Sequence, residues 1–537
     1  MKPNPMTNAW HLGRVKLFDY LPALALAIAL AGLGFAVQGR IGFDLADEGF
    51  LWYGVQRVMA GEVPVRDFMS YDPGRYYFAA ALMSLFGDGG VVALRAVSAL
   101  VQAVGIFVGL MLLVRAMSRR DMVLLVIAAM TLAAWNFEAH KQYDRTTAIA
   151  LLASLALLAS RPARGNYFLA GLILGLAAVF GRNHGLYGAI GSVLVLLYQA
   201  IDRVEGRFRI HVPGEIRYWF AGGVVGYAPV LLMIFFVNGF ASAFLDDLLH
   251  ILRSGTTNIP LPVPWPWRLA LSQVSFGEAL RLVVYGSLFG LLMFCSVAGL
   301  LLLGWARWAG RALAPLLVGA ICLLPGYLHY AFSRADEFHL AVAMPPLLIA
   351  LLFILSTNRR SVALAGAATL FAISLLVTHS RHPIIEECRQ SSFVSGCVSM
   401  TIGDDELKIR ANIAQMIRVI RQWAAETPAD RNLLVLPLWP GIYPVLGTTS
   451  PVWELYGVMP RSEEFQRREI QRIRAARPGM ILLNNIALDN RPELTYSNTH
   501  RLITQYIVQN YVEVTRLGVY HLFRPAELIA APAPVAR

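Results

Sequence analysis

Eleven stretches of this chain are too apolar to face water. Residues 21–38, LPALALAIALAGLGFAVQ, hold no charged side chain. The expected runs lie near 20–38, 91–114, 122–137, 146–160, 167–180, 185–200, 218–238, 282–303, 312–332, 338–355 and 361–378. A backbone entering hydrocarbon must satisfy its own hydrogen bonds, which leaves helices or closed barrels. The runs are continuous rather than alternating and approach the roughly 20 residues a bilayer helix needs, so they read as helices. The third to fifth are near the lower limit of length. Composition agrees: 57% of the residues are hydrophobic and 15% charged, against about 25% charged in soluble proteins. A soluble enzyme, a disordered chain and a secreted disulfide scaffold are excluded.

Charge density then divides the chain. Residues 1–379 carry 47 charged side chains and residues 380–537 carry 33. This step marks a membrane body, 1–379, followed by an aqueous domain, 380–537, long enough to bury its own core. The body has two long outer loops, 39–90 and 239–281. The second contains PLPVPWPW at 260–267, whose prolines and tryptophans suit a membrane interface. In the terminal domain, residues 404–425 and 462–477 have helical spacing, as does 501–510. NLLVLPL at 432–438 and MILLNN at 480–485 read as strands, and 511–523 as a hairpin turning at Gly518. The expected fold is a polytopic α-helical membrane protein of about eleven spans with a C-terminal small α/β domain.

Short loops on one side collect Lys2, Arg14, Lys16, Arg115, Arg119, Arg120, Arg161, Arg164, Arg203, Arg207, Arg209, Arg217, Arg307, Arg311, Arg359 and Arg360. Basic residues mark the cytoplasmic side. The N-terminus is therefore expected in the cytoplasm, and the C-terminal domain outside. The net charge of +12 is accounted for by this topology and requires no nucleic acid. Cys388 and Cys397, with eight residues between them, would lie in the outer segment, where an oxidising compartment permits a disulfide.

Transport pathways keep ionisable groups at mid-membrane depth, yet the middles of these spans hold almost none. The polar groups gather at outer span ends: Asp44, Asp47, Glu48, Asp72, Arg75, Glu138, His140, Lys141, Asp144, Arg145, Arg182, His184, Arg334, Asp336, Glu337 and His339. Such placement suits surface chemistry on a lipid-borne substrate. In DLADEGFLWYGVQRVMAGEVPVRDFMSYDPGRYYFAA, acids precede an amphipathic segment whose Leu51, Val55, Val58 and Met59 share one helical face. This reads as an interfacial helix. Asp47 stands at its start, where it also suits a helix cap.

These features resemble the GT-C superfamily of polyprenyl-phosphate-sugar-dependent glycosyltransferases, in the branch of the protein O-mannosyltransferases and the bacterial lipid A aminoarabinose transferase. The resemblance rests on Asp47-Glu48 after the first span, on GEVPVRDF and on YDPGRYY. It implies an inverting hexosyl- or pentosyltransferase that moves a sugar from a polyprenyl-phosphate donor to a lipid, glycan or protein hydroxyl. That reaction would run at the outer face of a bacterial inner membrane, among membrane lipids. The family often has Pro-Pro where this chain has Pro73-Gly74.

A carboxylate that takes the acceptor proton and cations that stabilise the departing phosphate suffice for this chemistry. Asp47 is the expected base, with Glu48 beside it. Arg75 is the expected principal phosphate ligand, and Lys141, Arg145, Arg182 and Arg334 are further candidates. Asp44, Tyr71, Asp72, Tyr76, His184, Asp336 and His339 are candidate substrate contacts. Arg334 could instead pair with Asp336 or Glu337 and cap the next span. No compact metal-ligand spacing occurs, so no cofactor is expected, a divalent cation being the alternative. Trp439, Tyr443, Trp453 and Tyr456 suit either sugar contacts or the core of the terminal domain. The rival function is a transporter or lipid flippase with an outer domain; a non-catalytic scaffold is a third reading.

Overall fold

The computed structural model describes residues 16–529, apart from 117–120, 138–141, 161, 205–206, 211–212, 256–257, 383–385, 387 and 389–395. Its main helices are α1 (Leu21–Gln38), α2 (Asp47–Met59), α3 (Pro73–Phe86), α4 (Val91–Ala116), α5 (Met122–Ala134), α6 (Gln142–Leu158), α7 (Arg164–Phe180), α8 (Arg182–Ala200), α9 (Ile216–Phe236), α10 (Phe240–Ser254), α11 (Phe276–Trp308), α12 (Pro315–Ser333), α13 (Glu337–Ser356) and α14 (Arg360–Thr378). Eleven of these coincide with the eleven expected spans. Among the described residues, seven helices are long and apolar enough to cross a membrane, and α5 and α7 are shorter apolar helices. The chain is a multi-pass membrane protein.

Two compact units make up the chain. The first comprises Met1–Val37, Arg95–Ala241 and Leu248–His382. Its centre is α6, α12 and α13, buried along most of their length. Outward faces stay apolar, as at Phe220, Phe235, Phe294 and Leu301, the arrangement required when the solvent is lipid. Helices α7 and α9 touch backbone to backbone: a Cβ on Gly171 would lie 1.9 Å from the Trp219 carbonyl oxygen, and one on Gly226 would lie 2.3 Å from that of Leu172. Small residues at four-residue spacing permit this approach. The 260–267 stretch packs on the same unit. The Trp265 and Trp267 rings stack at 5.1 Å, and Trp265 also meets Phe332.

The second unit comprises Gln38–Leu94, Ser242–Asp247 and Pro383–Arg537, so the first outer loop packs with the C-terminal chain. After the short antiparallel pair β1 (Ile201–Val204) and β2 (Arg207–Ile210) of the first unit, strands β3 (Cys397–Ile402) and β4 (Asp405–Arg410) form a hairpin. The Gly42 N–H donates to the Lys408 carbonyl, and the Lys408 N–H to that of Arg40, both at 2.8 Å. Asp405 accepts the Val92 N–H at 2.9 Å at the head of α4. This hairpin corrects the expected helix over 404–425, which begins only at Ala411. Residues 405–410 alternate, with Leu407 and Ile409 buried and Glu406 and Lys408 out, and a period of two beats a helical assignment. Cys388 and Cys397 form a disulfide beside it, with a Cα–Cα distance of 4.9 Å.

A four-stranded sheet of order β5-β6-β8-β7 completes the unit: β5 (Leu433–Leu436), β6 (Met480–Asn484), β7 (Val512–Leu517) and β8 (Tyr520–Arg524). β5 and β6 are parallel and joined through helix Glu463–Ala476, while β8 runs antiparallel to β6 and β7. Leu434, Ile473, Ile481, Ile503 and Ile507 form its core. These elements match the strands, the second and third helices and the Gly518 hairpin expected from sequence.

Candidate active site

In the second unit the site grows from the head of α2. The Asp44 carboxylate accepts the backbone N–H groups of Ala46 at 2.9 Å, Asp47 at 3.0 Å and Glu48 at 3.4 Å. Asp44 therefore satisfies the orphan amides of the helix start. Glu48 is buried, and its carboxylate accepts the Asp44 N–H at 3.5 Å. Asp47 is the first helical residue. The cap thus falls on Asp44 and leaves the Asp47 carboxylate for other partners.

Glu48 to Val55 are all buried, so α2 is embedded where the sequence suggested a surface helix. Burial of a side chain such as Leu51 or Val55 contributes about 1.5–3 kcal/mol. Two glycines make the fit possible. A Cβ on Gly49 would sit 2.6 Å from the Gly441 backbone, and one on Gly54 would sit 2.3 Å from the Tyr76 ring.

An aromatic bridge joins Asp47 to Arg75. Tyr456 lies close enough to Asp47 for the charge of that carboxylate to act on its hydroxyl. Phe50, one turn along α2, meets Tyr456 at 5.7 Å and Tyr71 at 5.0 Å, both edge-on. The Arg75 guanidinium lies over the Tyr71 ring, 4.7 Å from its centroid. Tyr76 is fully buried, and its hydroxyl accepts the Tyr71 N–H at 3.0 Å. Arg75 stands in the first turn of α3, behind Asp72 and Pro73, at the positive end of the helix dipole.

Charge is graded across this cluster. Asp44 keeps a solvent-exposed face, yet desolvation, followed by the negative charge of Asp47 and Glu48, pushes its pKa up to about 7. Burial, followed by the charge of Asp47, raises the Tyr456 hydroxyl well above the usual tyrosine range. Tyr456 therefore stays protonated and presents an O–H, not a second anion, to Asp47.

The first unit holds a separate polar chain. His184, fully buried at the start of α8, bonds Asp144 through Nε2 at 3.0 Å and the Tyr327 hydroxyl through Nδ1 at 2.8 Å. An ionised Asp144 can only accept, so Nε2 donates and Nδ1 accepts in the neutral tautomer. Tyr330 stacks on His184 at 5.7 Å and faces His339 at 5.2 Å. His339 donates to Asp336 at 2.7 Å, and Asp336 pairs with Arg334 at 2.8 Å. Arg334 also donates to the Ile259 carbonyl at 3.0 Å, while Asp336 caps α13 through the His339 N–H.

Buried Arg145 donates to the Phe137 carbonyl and lies over the Phe137 ring. Arg182 is half-buried at the head of α8. Lys141 lies outside the described residues. Among the described residues, no group of three or more His, Cys, Asp or Glu side chains is placed to hold a metal ion.

The candidates thus fall into two clusters. Asp44, Asp47, Glu48, Tyr71, Asp72, Arg75 and Tyr76 share one; His184, Arg334, Asp336 and His339 share the other. Tyr187, Tyr327, His329 and Tyr330 are additions, with Tyr187 and His329 joined at 2.9 Å. The signal for the last three is the run Tyr327-Leu-His-Tyr330 inside an otherwise apolar span. Glu337, the alternative partner named for Arg334, instead bridges Arg281 and Arg381. Of the four aromatics singled out in the terminal domain, Trp439 stacks on Tyr520 and Tyr443 is buried; Tyr456 reaches the site.

The chain shares its fold with ArnT from Cupriavidus metallidurans. Over 95% of its length the chain is similar to the crystal structure of ArnT from Cupriavidus metallidurans bound to undecaprenyl phosphate, with a TM-score of 0.52, 16% identity and 99% of that chain covered. The apo form of the same ArnT matches with a TM-score of 0.49 at 13% identity, covering 95% of this chain and 99% of that one. The Archaeoglobus fulgidus oligosaccharyltransferase tethered with an acceptor peptide matches with a TM-score of 0.41 at 11% identity, covering 87% of this chain and 69% of that one. No protein-family model and no curated protein sequence matches the chain.

Proposed function

We propose that this protein is an inverting membrane glycosyltransferase that moves a hexosyl or pentosyl group from a polyprenyl-phosphate donor to a hydroxyl of a lipid, glycan or protein. The observation that carries the reading is the Asp47–Tyr456–Phe50–Tyr71–Arg75 cluster, which links one carboxylate to one guanidinium across an aromatic floor. The shared fold with ArnT, whose crystal structure holds undecaprenyl phosphate, supports a lipid-phosphate donor.

Asp47 takes the proton of the acceptor hydroxyl while that oxygen attacks the anomeric carbon. The bond from that carbon to the phosphate oxygen breaks, its electron pair leaves with the polyprenyl phosphate, and the anomeric configuration inverts. The leaving group is stable as an anion, so no general acid is needed. Arg75 and the positive end of α3 stabilise its charge. The Tyr456 O–H, held protonated beside Asp47, favours the ionised form of that carboxylate. The scheme requires no cofactor. The basic short loops support a cytoplasmic N-terminus and chemistry at the outer face of a bacterial inner membrane.

Arg75→Ala in purified protein tests the donor side. Release of polyprenyl phosphate by wild type, with little or none from a folded variant, supports the assignment; equal release removes Arg75 from the mechanism. Movement of a lipid-linked sugar across sealed vesicles without a new glycosidic bond would identify a flippase instead.

A further inference from the structure

Tyr456 packs edge-on against Phe50, one turn from Asp47, from a strap, Ser450–Arg461, that is pinned on two sides. On one side the Ser450 N–H donates to the Tyr53 hydroxyl at 3.0 Å, the Met69 N–H donates to the Trp453 carbonyl at 2.8 Å, and the Trp453 indole N–H donates to the Val65 carbonyl at 3.0 Å. On the other side is a buried ionic cluster. Glu454, 5% exposed, accepts from Arg461 at 2.5 Å and from Nε2 of the fully buried His500 at 2.7 Å. Glu469 accepts the N–H groups of Trp453 at 2.9 Å and Glu454 at 3.3 Å.

His500 is itself held in place. Its ring stacks on Tyr496 at 4.3 Å, and Nδ1 bonds the Thr499 hydroxyl at 2.9 Å. Gly457 rests directly on the pair: a Cβ there would lie 3.3 Å from Oε2 of Glu454 and 3.4 Å from Cε1 of His500. Glu454 and Gly457, on either side of Tyr456 in the strap, thus both border the Glu454–His500 contact, and the Gly457 N–H also donates to the Pro437 carbonyl at 3.1 Å.

A buried ion cluster is a weak source of net stability, because desolvation opposes the attraction. What it does supply is a single geometry, since every partner must be satisfied at once. We infer that Glu454 and His500 are positioning residues for glycosyl transfer, holding the strap in the arrangement that sets the Tyr456 ring against Phe50, one turn from Asp47. The inference rests on reading Asp47 as the base.

The test compares wild type, His500→Ala, His500→Gln, Tyr456→Phe and the His500→Ala/Tyr456→Phe double variant, each as the full chain. Membrane-extracted polyprenyl-phosphate sugars are the probe, and released polyprenyl phosphate is the readout. Hydrogen exchange of residues 450–457 is followed in parallel. His500→Ala lowers kcat about tenfold or more with the donor KM little changed, and its strap loses amide protection. His500→Gln, which keeps an N–H donor for Glu454, recovers most of the rate. The double variant is no slower than its slower parent, as expected of residues acting as a unit.

Unchanged kcat in folded His500→Ala, or multiplied losses in the double variant, would overturn the proposal. If wild type releases no polyprenyl phosphate from any donor, the reading of Asp47 fails. Strap exchange still decides the structural part: unchanged protection in His500→Ala overturns it independently.

Discussion

The Asp44 carboxylate accepts the backbone N–H of Asp47 at 3.0 Å, so the residue that caps α2 and the residue offered as the base are different side chains three positions apart. The division matters because the Asp44 oxygens are committed to the helix amides, which leaves the Asp47 carboxylate to meet a substrate. It also sets two acids close together in different environments, the pattern that separates protonation roles.

That separation has a pH signature. Asp44 titrates near 7, above the ordinary aspartate value of 3.8. A raised carboxylate is stabilising when protonated, so its contribution declines as pH rises from about 4 to about 7. Asp44→Asn keeps a capping oxygen and removes the titration. Melting temperatures should show wild type losing stability relative to Asp44→Asn across that window; parallel curves would contradict the assignment.

Glu454 has the opposite sign. Burial alone would raise its pKa, but His500 and Arg461 outweigh burial and hold it at about 2, below the ordinary 4.5. Its stabilisation is complete above about 4.5 and is lost as pH falls towards 2. Glu454→Gln leaves Arg461 buried beside a neutral partner, and denaturant unfolding at pH 7 should show a loss of about 3–5 kcal/mol.

Gly49→Ala tests the seat of α2. Its new Cβ would meet backbone atoms of Gly441 at 2.6 Å, which cannot rotate away as a side chain can. The helix start must shift and carry Asp47 with it. Turnover should fall about a hundredfold, the scale of an ångström displacement at a reacting centre, with substrate binding less affected. Wild-type turnover in Gly49→Ala would show that the contact yields without moving Asp47.

Arg75→Lys keeps the charge but removes both the planar stack on Tyr71 and the guanidinium fork. Such contacts are worth about 0.5–2 kcal/mol, so donor KM should rise about twofold to thirtyfold while kcat changes less. An unchanged KM would place the phosphate contact elsewhere.

Much of the body was legible because lipid imposes one rule on every span: apolar and helical. The pairing of Leu407 and Ile409 was obscured because the acids of 404–406 mimic a helix's first turn, while the alternation occupies only six residues. Asp47 and Arg75 stood out as ionisable groups beside a span end. The link between them was not legible, since Tyr456 lies far along the chain and meets Asp47 only through tertiary packing. The partners of His184 were hidden for the same reason: Tyr327 and Asp144 belong to different spans, and nothing local to either one names the other.

The most direct measurement is donor turnover by wild type and Asp47→Asn, with melting curves confirming that both are folded. Membrane-extracted polyprenyl-phosphate sugars serve as donors, and mass spectrometry follows released polyprenyl phosphate. The account predicts release by wild type and a loss of at least a hundredfold in the variant, the scale on which a positioned general base contributes. Equal release by the two proteins would contradict Asp47 as the base.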